Sequence, residues 1–373
     1  MRVERLSLTG FRSYPSLDVA FPAGPQVVVG RNAAGKTNLL EALVVLALGH
    51  SHRTSTDLEM IRWDAPFARL EARVGSGGPG TDELELVLAR PGTAASRKRI
   101  RVNGVPRRAS ALSVALRAVV FAPEDMLLVV GSPSLRRALL DTLVAQQVPQ
   151  GSATLSTYAR ALQQRNTLLR RIREGEASPD ELGYWDAVVV EHGGRIVTWR
   201  LAALAALAAP LAAAHAEIAP AEGSLSVRYQ TNAPMAPGEN AEEALRRRLA
   251  ETSEKEVWNG STLVGPHRDD LAFESDGREL SGFASRGQQR TAILAVKLAQ
   301  LDLLSAREGR PPLLLLDDVF SELDPERRAH LVRRIGELPQ AFVTTTTLDD
   351  LDPRLVAAST AWRVEPGHLE LVA

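Results

Sequence analysis

The chain contains no cysteine in 373 residues. Disulfides and thiolate metal sites are therefore excluded, and a reducing compartment fits. Net charge is nearly absent as well, at −1. No overall field draws such a molecule to nucleic acid, so any such binding falls to local basic patches. The start, Met1-Arg2-Val3-Glu4-Arg5, lacks the apolar core of a signal peptide. There is no internal repeat, and no low-complexity tract beyond alanine enrichment. His50 and His52 stand two apart with no partner ligands at zinc spacing, so zinc is not expected. One run, residues 201–219, is almost wholly apolar. It is mostly alanine, is interrupted by Pro210, and carries His215 and Glu217. Leu201, Leu204, Leu207 and Leu211 form a one-sided stripe, which reads as a packed helix and not a membrane span. The expected location is the cytoplasm.

What the chain does have is a full G-x-x-x-x-G-K-T phosphate loop, Gly30-Arg31-Asn32-Ala33-Ala34-Gly35-Lys36-Thr37. Gln26-Val27-Val28-Val29 before it reads as a buried strand, and Asn38-Leu39-Leu40-Glu41-Ala42-Leu43 after it as a helix. Strand, glycine loop and helix make an anion site: successive N–H groups face the phosphates, and the helix N-terminus adds partial positive charge. Lys36 is expected on the β- and γ-phosphates, and the Thr37 hydroxyl on Mg²⁺. A second half of the site is expected at Leu313-Leu314-Leu315-Leu316-Asp317-Asp318, an apolar strand delivering two carboxylates. Asp317 would hold Mg²⁺, and Asp318 would orient the attacking water.

Strands are expected over 3–21 with a turn at Arg12-Ser13-Tyr14-Pro15, over 68–74 and 83–88, and in a hairpin around 97–108 turning at Asn103-Gly104. A further strand is expected at 119–121. From Ser134 to about Arg248 the pattern is mostly helical, divided by Pro149, Pro179, Pro210 and the loop 232–239. Strands resume around Leu263. The fold class expected is α/β, with an ATPase head in two halves (1–125 and 259–373) flanking a helical insertion (126–258). Between the phosphate loop and the Leu313 to Asp318 strand, Ser285-Arg286-Gly287-Gln288-Gln289 opens a helix and offers a hydroxyl and N–H groups to an anion. Two readings stay open: a plain N-capped helix, or a contact to ATP held by another subunit.

Phosphate loop, Ser285-x-Gly287-Gln288-Gln289, Leu313 to Asp318, and Ser321-Glu322-Leu323-Asp324 follow the order of ABC-type ATPase heads. The arrangement resembles the SMC branch of those heads, and within it the RecF family of bacterial recombination mediators. Phe11-Arg12-Ser13-Tyr14, Phe121-Ala122-Pro123-Glu124-Asp125, Arg136-Arg137 with Leu140-Asp141, and Gly265-Pro266-His267-Arg268-Asp269-Asp270 carry the resemblance further. It implies ATP and Mg²⁺ as cofactors and an ATP-dependent head-to-tail homodimer with two ATPs at its seam. It places Gly30 to Asn38, Arg12 and Arg53 on the nucleotide, with Thr345 offering a hydroxyl. Ser285, Gly287 and Gln288 would reach the partner's γ-phosphate in trans, and Asp324 would line the seam. Lys36, Asp318 and Ser285 would carry catalysis.

The resemblance also implies a role at gapped or stalled DNA, loading RecA with RecR and RecO. Three departures bear on mechanism. Asp318 stands where most ABC ATPases have glutamate, one methylene longer, so slow hydrolysis is expected; the resemblance implies that DNA stimulates it. Thr344 to Thr347 stand where many have a switch histidine, and hydroxyls are poor general bases. Arg286 stands where the family often has glutamine. For DNA, the candidates are Arg97, Lys98, Arg99, Arg101, Arg107 and Arg108 in a hairpin without acids or aromatics, suited to gripping phosphates; the alternative is a solvated strand face. A membrane-transporter ATPase shares the site parts. It places the serine motif much nearer the phosphate loop, whereas here about 250 residues separate Lys36 from Ser285. A chromosome-organising SMC head needs far longer arms than the longest helical stretch here.

Overall fold

The computed structural model describes residues 1–54, 56–75, 80–92 and 98–372. In chain order the elements begin with β1 (Arg2–Phe11), β2 (Tyr14–Ala20), β3 (Gly24–Val29) and α1 (Lys36–Leu48). They continue with β4 (Phe67–Gly75), β5 (Thr81–Ala89), β6 (Lys98–Val102), β7 (Val105–Pro106), α2 (Ser110–Ala115) and β8 (Ala118–Phe121). The middle of the chain holds α3 (Pro133–Gln147), α4 (Gly151–Arg173), α5 (Gly183–Ile218), β9 (Leu225–Gln230) and α6 (Ala241–Asn259). Then come β10 (Asp270–Ser275), β11 (Arg278–Glu279), α7 (Leu280–Phe283), α8 (Arg286–Glu308), β12 (Leu313–Leu316) and α9 (Pro325–Gly336). The last are β13 (Gln340–Thr345), α10 (Pro353–Ala358), β14 (Thr360–Glu365) and β15 (His368–Leu371).

Two compact units result, one of Met1–Met126, Pro210–Glu222 and Ser285–Ala373, the other of Leu127–Ala209 and Gly223–Ala284. The first is an α/β head with two sheets. One sheet is antiparallel in the order β2-β1-β4-β5-β6-β7. Its strands alternate as a half-buried sheet should: Leu6, Leu8, Leu70, Ala72, Leu84 and Leu86 face the core, while Arg5, Ser7 and Glu71 face out. The other sheet has the order β15-β14-β3-β13-β12-β8, parallel except for β15. Its strands β13 and β12 are buried along their whole length, and β12 is four leucines in a row, as strands covered on both faces require. Helix α1 lies among strands of both sheets and is apolar all round, from Leu39 to Leu48, with Glu41 as its one buried acid.

The second unit is mostly helical and carries a three-stranded sheet, β11-β10-β9. Strand β9 departs from the helical expectation for 134–248. Its partner β10 supplies the reason, pairing with it in register from Leu225 opposite Ser275 to Gln230 opposite Asp270. That pairing also moves residues 259–284 into the second unit instead of the head half 259–373, and no strand forms at Leu263. Helix α5 runs 36 residues straight through Pro210, where an interruption was expected. Its Ala203, Leu207, Leu211, Ala214 and Ile218 are buried at spacings of three and four, so the stripe runs through these positions, with Leu201 and Leu204 only half-buried. By length and composition α5 is the one described helix able to cross a bilayer; its one-sided burial is the pattern of a helix packed on protein.

Candidate nucleotide site

The site is built in the first unit, at the C-terminal ends of β3, β12 and β13, where parallel α/β sheets place ligands. Strand β3 ends at Val29, and the loop that follows enters α1 through Gly35, whose φ of 119° favours glycine. Gly30 is needed for a different reason: a Cβ there would stand 2.7 Å from the Val364 carbonyl. The Lys36 ammonium donates to the Gly30 carbonyl at 2.8 Å and lies 3.6 Å from the Asp318 carboxylate. Thr37 Oγ1 donates to Asp317 Oδ1 at 3.1 Å, and Thr344 Oγ1 donates to the same oxygen at 2.7 Å. Residues from the two ends of the sequence thus meet in one place.

Asp318 has a φ of 51°, a left-handed conformation that aspartate tolerates better than most residues. Its N–H donates to Thr344 Oγ1 at 2.9 Å, which fixes the turn after β12. Burial, opposed by Lys36 and reinforced by Asp317, holds its carboxyl above the usual aspartate value. Thr345 is buried, and its hydroxyl donates to the Thr347 carbonyl at 2.8 Å, turned away from free solvent. The donor set fits Mg²⁺. One carboxylate beside the phosphate-loop threonine is what such a site offers, because this ion takes most of its ligands from phosphates and water. No cluster of three or more His, Asp or Glu side chains forms a protein-only metal cage among the described residues.

Arg12 and Arg53 converge on α1 one turn beyond Thr37. The carboxylate they share, Glu41, was not among the expected site residues. Arg12, at a φ of 49°, donates to Glu41 through Nε at 2.9 Å and Nη2 at 2.7 Å. Arg53 Nη1 donates to Glu41 Oε2 and to Asn38 Oδ1, each at 3.0 Å, and Ser51 Oγ donates to Glu41 Oε1 at 2.5 Å. Burial alone would raise the Glu41 carboxyl, yet the hydrogen bonds from Arg12 and Ser51 and the charges of Arg12 and Arg53 hold it below the usual glutamate range. The signal in the sequence was an acid inside a run of leucines; its partners lay too far along the chain to be read.

Ser285 caps α8: its Oγ accepts from Gln288 N–H at 3.2 Å, and Gln288 Oε1 accepts from Ser285 N–H at 3.0 Å. Ser285, Arg286 and Gly287 are nonetheless exposed, so the cap leaves an open N–H face. Asp324 caps α9 by accepting from Arg327 N–H at 3.0 Å, and it also pairs with the Arg327 side chain. Ser321 Oγ donates to the Asp318 carbonyl at 2.8 Å, joining the Ser321 to Asp324 segment to the turn after β12. Lys297 of α8 pairs with Asp125 at 2.7 Å, which ties the Phe121 to Asp125 stretch to the same helix.

The basic hairpin is less free than its composition suggests. Lys98 pairs with Asp57 at 2.9 Å and Arg99 with Glu85 at 3.1 Å. Arg101 is half-buried, while Arg107 and Arg108 are exposed with no ion pair among the described residues. Arg97 lies outside the described residues. The Gly265 to Asp270 stretch belongs to the second unit and knots it: Arg136 clasps Asp270 at 2.7 Å, and Arg200 clasps Asp141 at 2.7 Å while donating to the Pro266 carbonyl at 2.7 Å. Burial pushes His267 down to about 4, and its Nδ1 lies 2.7 Å from the Tyr158 hydroxyl.

With this geometry in view, residues 2–353 match the RecF/RecN/SMC N terminal domain. The chain is 39% identical over 376 residues to the DNA replication and repair protein RecF of Geobacillus kaustophilus, with 99% of each chain covered. It is 40% identical over 368 residues to that of Frankia alni, covering 95% of this chain and 96% of the relative. Among solved structures, the recombination mediator protein RecF-ATP of the RecFOR pathway superposes with a TM-score of 0.87 at 29% identity, covering 100% of this chain and 97% of that one. An SMC head bound to the C-winged helix domain of ScpA superposes with a TM-score of 0.53 at 15% identity, covering 100% of this chain and 97% of that one, a likeness of fold alone.

Proposed function

We propose, from the premise that this chain belongs to the RecF family within the RecF/RecN/SMC N-terminal-domain family, that it is an ATP-driven switch of DNA replication and repair. The observation that carries this reading is the meeting of Lys36 and Thr37 with Asp318 and Asp317, at 3.6 and 3.1 Å, in one site of an ABC-type head. ATP binds with its phosphates on the N–H groups of Gly30 to Thr37. Lys36 gives up its bond to the Gly30 carbonyl and neutralises the β- and γ-phosphates. Thr37 and Asp317 hold Mg²⁺, which supplies charge neutralisation on the phosphate oxygens. Asp318 orients the attacking water and accepts its proton. One methylene shorter than glutamate, it holds the water less closely, and hydrolysis is slow.

The exposed Ser285 and Gly287 complete the partner's site in a head-to-tail homodimer, where N–H groups at the start of α8 add to the charge balance on the γ-phosphate. Gln288 and Asp324 line the nucleotide seam, while the buried Thr345 supports the loop behind it through its bond to the Thr347 carbonyl. The ATP-bound dimer holds DNA, with Arg107 and Arg108 as the free phosphate contacts of the hairpin, and hydrolysis releases it. The relatives' role in replication and repair, and the RecFOR pathway of the solved mediator, support work in the cytoplasm at gapped DNA with RecR and RecO, ahead of RecA loading.

The test is mass in solution with and without ATP and Mg²⁺, for the natural chain and for Ser285→Arg. The expected result is a monomer without nucleotide, a dimer with it, and a variant that binds ATP but stays monomeric. A natural chain that binds ATP and never changes mass, even with DNA, overturns the switch and returns Ser285 to a helix cap.

A further inference from the structure

Helix α4, in the second unit, holds five arginines and no acid in 23 residues. Two of the five are committed. Arg165 is buried and pairs with Asp186 at 2.6 Å and Glu256 at 2.7 Å. Arg173 lies 3.6 Å from Glu174, just past the helix end. The other three, Arg160, Arg170 and Arg171, are exposed and have no ion pair among the described residues. Their hydrogen bonds are few, long and to neutral oxygens. Arg160 donates to the Ser156 carbonyl at 3.4 Å and to Thr157 Oγ1 at 3.5 Å. Arg170 donates to Thr167 Oγ1, and Arg171 to the Glu176 carbonyl, each at 3.3 Å. A guanidinium has five N–H donors, so most of theirs stay open.

Helix α6 of the same unit shows the ordinary pattern of a solvated face. Its Arg246 pairs with Glu242 at 2.8 Å, its Arg247 with Glu239 at 2.8 Å and Glu251 at 3.3 Å, and its Arg248 with Glu251. The outer face of α4 has no such pairs, so its charge is uncompensated. Arg160 and Arg171 are eleven residues apart and fall on nearly one line of the helix, roughly 16 Å along it, with Arg170 beside them. Gln163, Gln164 and Thr167 fill the exposed surface between. No large apolar side chain is exposed on α4, so the face lacks the apolar centre of a protein interface. Arginines, amides and a hydroxyl are instead the groups that grip the phosphates of nucleic acid. Tyr158, the one aromatic of the helix, is buried, so bases have nothing here to stack on.

We propose that the outer face of α4 is a second DNA contact, separate in sequence from the basic hairpin, in which Arg160, Arg170 and Arg171 grip backbone phosphates without reading bases. This rests on the DNA-binding reading above. The experiment is fluorescence anisotropy of a labelled duplex with the full chain, ATP and Mg²⁺ over a salt series. It compares the natural chain with the triple variant Arg160→Ala, Arg170→Ala, Arg171→Ala, and with the α6 control Arg246→Ala, Arg247→Ala. At about 0.1 M salt the triple variant should bind at least about tenfold more weakly, and the slope of log affinity against log salt should fall by about 3. The α6 control should keep the natural slope, because acids already hold those charges. ATP affinity and melting temperature of the triple variant should match the natural chain, since the three side chains are exposed and make only long neutral bonds. Arginine modification read by peptide mass should show Arg160, Arg170 and Arg171 protected by DNA and not by polyglutamate. Equal DNA affinity and slope in the natural chain and the triple variant overturn this face and leave the DNA reading standing. Protection by polyglutamate and not by DNA also overturns it and assigns the face to an acidic protein. A natural chain that binds ATP but no DNA overturns the DNA reading and the face together.

Discussion

The Lys36 ammonium sits 3.6 Å from the Asp318 carboxylate, so the phosphate-loop lysine and the proposed base pair with each other in the nucleotide-free chain. On the proposed mechanism, nucleotide inserts between them, its phosphates take over the lysine, and the carboxylate is released to face water. Removing the charge from Asp318 should therefore separate binding from chemistry. Asp318→Asn is expected to bind ATP at least as tightly as the natural chain, because one negative charge near the phosphates is gone. Hydrolysis should fall by about 100-fold or more, as expected for loss of a positioned base. Equilibrium binding and single-turnover hydrolysis measured on the same preparation check both halves.

The raised carboxyl of Asp318 also fixes the acid limb of the rate. Activity should decline as pH falls through its pKa, at a pH above the ordinary aspartate value of 3.8. The pH profile of kcat/KM, which reports the free chain, should show this limb, and the residual activity of Asp318→Asn should lack it.

Glu41 is buried with two arginines and a serine on its carboxylate. Glu41→Gln leaves Arg12 and Arg53 without their counter-charge and is expected to cost about 3 kcal/mol or more of stability. The native carboxyl lies below its unfolded value of 4.5, so its contribution is full above that pH and is lost as pH falls through the native value. Urea unfolding at neutral pH and in acid should show the gap between the natural chain and the variant closing on the acid side.

Within the hairpin, exposure ranks the DNA contacts. Arg107→Ala with Arg108→Ala should weaken DNA binding by the ATP-bound dimer and reduce the slope of log affinity against log salt by about 2. Lys98→Ala with Arg99→Ala should do less, because Asp57 and Glu85 already hold those charges. Fluorescence anisotropy over a salt series reads both.

The head was legible in the sequence where a single stretch of chain decides the outcome. Gly30 to Thr37 fixes its own backbone, and Leu313 to Asp318 announces a buried strand with acids at its end, so both aspartates were found without structure. Asn103-Gly104 turned the hairpin as its left-handed preference demands, with φ of 53° and 74°. What escaped notice depends on distant partners. Leu225-Ser226-Val227-Arg228-Tyr229-Gln230 is a strand because Asp270 to Ser275 lies alongside it, and nothing nearby separates it from the helices around it. Pro210 did not stop α5, since the turns on either side are held by their own buried faces. Glu41 read as a helix residue of no note because its two arginines come from other segments.

Strand β3 lies in its sheet between β13 and β14, whose residues run from Gln340 to Glu365. During synthesis on the ribosome, therefore, the strand that carries the phosphate loop emerges early and has no sheet neighbour until more than 300 further residues have followed it. A nascent chain arrested before residue 340 leaves Val27 and Val28 unpaired and the loop after them unsupported. The scaffold beneath the phosphate loop is therefore complete only once both late strands have been made.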